Sequence, residues 1–74
     1  MELHEERIIK YDGLEIQVNI YLIDYETQRY KVSVFYKKNE ERYIHIEGYN
    51  KEMVIDQAIE SLKYKHPSGV IKNI

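Results

Sequence analysis

The chain predicts an α+β fold: a four-stranded antiparallel meander with one C-terminal helix packed on one face. Two observations fix the sheet. Leu14, Ile16, Val18, Ile20 and Leu22 alternate with Glu15, Gln17, Asn19 and Tyr21, a period of two that marks a strand with one dry and one wet face. Tyr30, Val32, Val34 and Tyr36 then alternate with Lys31, Ser33, Phe35 and Lys37. A third observation supplies the cover: beyond residue 50 the apolar spacing changes to the helical period.

The elements follow in order. Residues 3–11 read as an edge strand ending at Asp12-Gly13, a pair that tolerates the positive φ of a type I′ hairpin turn. Such a turn pairs Tyr11 with Leu14 and Ile9 with Ile16, and sets Lys10 beside Glu15. The second strand covers 14–23, and the polar stretch Asp24-Tyr25-Glu26-Thr27-Gln28 is a loop. The third strand covers 29–38, and keeping the dry faces together pairs Leu22 with Tyr30, Ile20 with Val32 and Val18 with Val34. A three-residue turn is expected at Asn39-Glu40-Glu41, before a fourth strand at 42–48 with Ile44 and Ile46 inward; Tyr36 then pairs with Ile44 and Val34 with Ile46.

Asn50 is the expected helix N-cap, since its side chain can accept from an early helical N–H. Val54, Ile55, Ala58, Ile59, Leu62 and His66 form one apolar arc, and Pro67-Ser68-Gly69 stops the helix. Residues 70–74 are apolar enough to dock, either as a short fifth strand or against Met53 and Tyr64, which lie off the core arc and could instead contact a partner or a second copy of the chain. Residues 1–74 form a single small domain without repeats or linkers.

Composition excludes several function classes. There is no Cys, so neither a disulfide nor a thiolate metal site is available. The net charge of −2 comes from interspersed charges, unlike the basic stripe of a dedicated nucleic-acid binder. No apolar run approaches the roughly 20 residues of a membrane span. The acidic start Met1-Glu2-Leu3-His4-Glu5-Glu6 lacks the apolar core of a signal peptide, so a cytoplasmic protein is expected. Richness in Lys, Glu, Ile, Tyr and Asn resembles the usage of AT-rich phage or bacterial genomes.

No motif for chemistry stands out. Ser33, Ser61 and Ser68 lack a nucleophile elbow, the three Gly are isolated, and Glu40-Glu41 reads as a solvated turn. His4 and His45 sit on opposite outer strands, and His66 at the helix end, so no shared metal site is expected. The expectation is no enzyme and no cofactor.

The uncovered sheet face should carry His4, Ile8, Lys10, Glu15, Gln17, Tyr21, Lys31, Phe35, Lys37, Tyr43, His45 and Glu47, with Glu6 among its acids. The chain holds eight Tyr. Tyr11, Tyr30 and Tyr36 fit the rim of the core; burial does not account for Tyr21, Tyr25, Tyr43, Tyr49 and Tyr64. Tyrosine favours interfaces because it gives large contact area with a polar tip. Tyr21, Phe35, Tyr43 and Tyr49 are therefore the expected partner anchors, with Lys31, Lys37, His45 and Glu47 setting electrostatic fit.

Residues Tyr30 to Leu62 resemble several hairpin-then-helix modules. One is the arm-type DNA-binding domain of tyrosine integrases; where that sheet carries dense Arg and Lys, this chain sets Glu15 and Glu47 beside Lys31 and Lys37. Another is the strand–strand–helix end of double-stranded-RNA-binding domains, whose Lys-Lys motif is here replaced by Asn50-Lys51-Glu52-Met53. Length, build and acidic balance are similar to small phage anti-CRISPR inhibitors.

The first expectation is a non-enzymatic protein-binding module of the phage or mobile-element inhibitor kind. The alternatives are a nucleic-acid-binding domain using the same face and a structural homodimer. For self-pairing, the strand over Leu3–Tyr11 looks defended by Glu5, Glu6 and Arg7, and Arg42–Gly48 is the better edge unless the tail covers it.

Overall fold

A computed structural model describes residues 2–64 and 71–73, without the side chains of 41, 42 and 71–73. The chain runs β1 (Glu2–Tyr11), β2 (Leu14–Asp24), β3 (Arg29–Tyr36), β4 (Asn39–Gly48), α1 (Lys51–Lys63) and β5 (Ile71–Asn73). The strands form one sheet in the order β1-β2-β3-β4-β5. The first four pair antiparallel, and β5 runs parallel to β4 over His45–Glu47. This is the expected α+β meander with its helix on one face.

Alternation decides the layers. Ile16, Val18, Ile20, Val32, Val34, Ile44 and Ile46 are buried on one face, beneath Val54, Ile55, Ala58 and Leu62 of the helix. Fully burying a side chain of this kind stabilises by about 1.5–3 kcal/mol. The Asp12-Gly13 turn has φ of 52° and 76°, the positive pair of a type I′ turn, and sets Tyr11 against Leu14. The β2–β3 register is the expected one, with Val18 opposite Val34 and Ile20 opposite Val32.

The helix begins where expected. Asn50 is extended, at φ −116° and ψ 112°, and its side-chain oxygen accepts from the Met53 N–H at 3.1 Å. At the other end the Tyr64 N–H donates to the Glu60 carbonyl at 3.1 Å. The helix packs over β3 and β4, so β1 lies beyond its cover. Long charged side chains bridge that distance. Arg7 reaches both carboxylate oxygens of Glu52, at 3.1 and 2.8 Å, and also pairs with Glu5, which receives Lys51 at 3.1 Å. Lys63 lies 4.2 Å above the Tyr11 ring.

The structure corrects the hairpin between β3 and β4. The turn is Lys37-Lys38, with Asn39 already in β4 opposite Tyr36. Val34 faces Ile44 and Phe35 faces Tyr43, a register two residues away from the expected one. Neither lysine takes positive φ, so this is not a primed turn. Unprimed turns splay the strands they join, and a bulge between Phe35 and Tyr36 absorbs the mismatch through residues 40–42 of β4. A slip of two keeps every side chain on its face, so the core survives the correction.

A second correction concerns His4. β1 carries a bulge between Leu3 and Glu5, which puts Leu3 opposite Tyr21. His4 instead meets the edge of Tyr30, on the helix side, at 5.9 Å between ring centroids. The tail takes the strand option at 71–73, and Met53 and Tyr64 stay exposed. The expected roles of His66, Pro67-Ser68-Gly69, Val70 and Ile74 fall outside the described residues.

Candidate docking face

The face opposite the helix is assembled by the same register that builds the core. Its central row crosses the sheet as Asn19, Ser33 and His45. Ser33 is only 8% exposed although no element among the described residues covers it. It lies between Asn19 and His45 across the strands and between Lys31 and Phe35 along its own, all of them taller. Gln17 donates to Asn19 Oδ1 at 2.8 Å, which tethers the polar rim of this row.

Towards the β3–β4 turn, Phe35 and Tyr43 stand directly opposite each other, the geometry in which cross-strand aromatic pairs interact. Tyr43 also meets His45 edge to face, with ring centroids 4.9 Å apart at 81°. Phe35 is half-buried and Tyr43 is 38% exposed, so the pair is a raised apolar step. Towards the other end, Lys31 faces Glu47, and Glu47 accepts from Arg29 at 2.7 Å. The Arg29 guanidinium lies 5.9 Å from the centre of the Tyr49 ring, and Tyr49 is 59% exposed.

The ionisation of His45 is shifted by its surroundings. Burial pushes its pKa below the ordinary 6.5, nearby Lys31 pushes the same way, and Glu47 opposes them. Its Nδ1 is buried without a hydrogen-bond partner among the described residues.

Seven of the eight expected partner residues lie on this surface or at its rim: Tyr21, Lys31, Phe35, Tyr43, His45, Glu47 and Tyr49. Lys37 does not stay in the strand. It sits in the turn, where its backbone N–H donates to the Glu15 carbonyl at 3.0 Å. There it lines an open hollow of about 370 Å³ with Gly13, Leu14, Glu15 and Lys38. Two residues were missed. Arg29 was read only as the start of a strand, although a register through Lys31 and Glu47 places it diagonal to Glu47. Leu3, 47% exposed, takes the place assigned to His4 because of the bulge.

Among the described residues no group of three or more His, Asp or Glu side chains is placed to hold a metal ion. No helix among them is long and apolar enough to cross a membrane. No protein-family model, curated protein or solved structure matches this chain.

Proposed function

We propose that the chain is a small protein-docking module that acts by occupying a partner protein's surface, without chemistry, as cytoplasmic inhibitors from phage or mobile elements do. The observation that supports it best is one face carrying the Phe35–Tyr43 step at one end and, at the other, the Arg29–Glu47 ion pair with Tyr49. Aromatic anchors on the same face as a mixed, internally paired charge set suit a protein surface with an apolar recess and both charge signs. A phosphate backbone would meet Glu6, Glu15 and Glu47 together with the lysines, and that is poor electrostatic complementarity.

The test is affinity capture from host lysate, with and without nuclease, comparing the native chain with the Phe35→Ala/Tyr43→Ala double variant. One stoichiometric protein should survive nuclease on the native chain and be lost from the variant, with both chains equally folded by circular dichroism. Recovery dominated by nucleic acid and abolished by nuclease would overturn the reading in favour of a nucleic-acid binder. Undiminished capture by the double variant would remove the face from the site.

A further inference from the structure

We infer that the outer edge of β1 is a self-recognition site for a second copy of this chain, related by a two-fold axis through Ile8. This inference stands independently of the docking face. Its first support is topological. β4 is covered by β5 over His45–Glu47, and among the described residues nothing pairs with the outer edge of the long strand β1. The helix lies over β3 and β4, away from that edge.

The second support is the direction of the backbone groups. Antiparallel pairs alternate between hydrogen-bonded and non-hydrogen-bonded. In a two-residue hairpin the residues flanking the turn are hydrogen-bonded, here Tyr11 and Leu14. Ile9–Ile16, Arg7–Val18 and Glu5–Ile20 are then bonded as well. Lys10, Ile8 and Glu6 face Glu15, Gln17 and Asn19 in non-bonded pairs. Their N–H and C=O groups therefore point outward along that edge, without a partner strand among the described residues.

The third support is self-complementarity. The regular stretch of β1 runs from Glu5, after the bulge, to Tyr11, before the turn, and its midpoint is Ile8. A two-fold there sets Ile8 against the partner's Ile8 and Glu6 against the partner's Lys10. All the outward backbone groups of that stretch then meet, in about six hydrogen bonds. Ile8 is 53% exposed, so an apolar contact at the axis covers surface that is otherwise wet. Each Lys10 comes to lie between its own Glu15 and the partner's Glu6.

Other registers are poorer. An axis midway between two residues aims outward groups at inward ones, an axis through Arg7 or Ile9 aligns only about four of the six hydrogen bonds, and the Arg7 axis also sets Arg7 against its own copy. An axis through Glu6 or Lys10 puts like charges face to face. The acidic and basic residues that look like defences against pairing thus select one register. Because the two copies keep the same face up, the five-stranded sheet doubles, and the two open faces lie side by side.

Sedimentation equilibrium from micromolar to about millimolar protein tests this. The mass should rise from 9.0 kDa towards twice that value with concentration. Ile8→Lys should raise the dimer Kd at least about tenfold by placing two charges at the axis. Its circular dichroism and Tm should hold, because Ile8 is exposed in the protomer. Glu6→Lys should weaken the dimer likewise, and the charge-inverted Glu6→Lys/Lys10→Glu/Glu15→Lys chain should restore it. Methylating the Ile8 backbone nitrogen in a synthetic chain removes the central donor and should also give monomers. A chain that stays monomeric to a millimolar overturns the inference. So does a dimer indifferent to Ile8→Lys or to the methyl group, or an inverted chain that fails to recover.

Discussion

The two faces of this sheet are made from the same strands, residue by residue in alternation, yet they carry different kinds of information. On the helix side Val18, Val34 and Ile44 lie in one row and are buried, with identities set by shape and hydrophobicity. On the open side the next row is Gln17, Phe35 and Tyr43, which no element among the described residues covers. The contrast teaches that one register serves two ends. The pairing that closes the core also decides which polar and aromatic side chains become neighbours outside it. A chain can therefore specify its fold fully while its recognition surface is visible only as a list of neighbours.

The largest test of that contrast is a matched pair of truncations. Ile46 is 1% exposed beneath the helix. Ile46→Ala should cost about 2–5 kcal/mol through lost burial and a residual cavity. That is comparable to the roughly 3–5 kcal/mol a small core without disulfides or metals supplies, so urea titration should find the variant largely unfolded at 25 °C. Phe35→Ala, on the neighbouring strand and the other face, should leave a cooperative transition with a midpoint close to that of the native chain. If Phe35→Ala unfolds the chain as Ile46→Ala does, the open face belongs to the core and the distinction collapses.

The same asymmetry explains what could be read from the sequence. The β2–β3 register was readable because Leu22 and Tyr30 bracket a polar loop and both strands alternate cleanly. The β3–β4 register was not, because the chain turns on Lys37-Lys38, residues with no special turn conformation, while Asn39 and Glu40 look more like turn residues. The penalty that fixes a register is the burial of wrong side chains, and a slip of two incurs none. His4 was misplaced for a related reason: its bulge contains no Gly, so nothing local marked it. The candidate site was readable as a set of residues on one face, but its pairings, Phe35 with Tyr43 and Arg29 with Glu47, depended on the register.

A smaller effect sharpens the view of the open face itself. If the Phe35–Tyr43 step is preformed, the two side chains are coupled in the free protein. A double-mutant cycle of Phe35→Ala and Tyr43→Ala in urea should give an interaction of about 0.5–1 kcal/mol. A coupling near zero would mean that the rings are independent and that any partner must organise them on binding.

The smallest effects should appear on acidification, separately for each face. His45 belongs to the open side, and burial together with Lys31 holds its folded pKa below the ordinary 6.5. A histidine depressed in this way binds fewer protons folded than unfolded. Stability is therefore complete above pH 6.5 and declines as pH falls through that value towards the lowered one. Glu5 belongs to the helix side. Hydrogen bonds from Arg7 and Lys51 push its carboxyl down to about 2 from an ordinary 4.5. A depressed carboxylate binds fewer protons folded than unfolded, so its stabilisation is present above pH 4.5 and lost as pH falls towards 2. Both groups are partly exposed, so both effects are small and the Glu5 effect shrinks with added salt. Urea midpoints measured from pH 8 to pH 2 should thus begin to fall below pH 6.5 through His45 and fall further below pH 4.5 through Glu5. His45→Gln should flatten the upper window alone and Glu5→Gln the lower alone. A single window removed by both substitutions would mean that the two faces titrate as one coupled network through the sheet, and the independence argued from their alternation would be wrong.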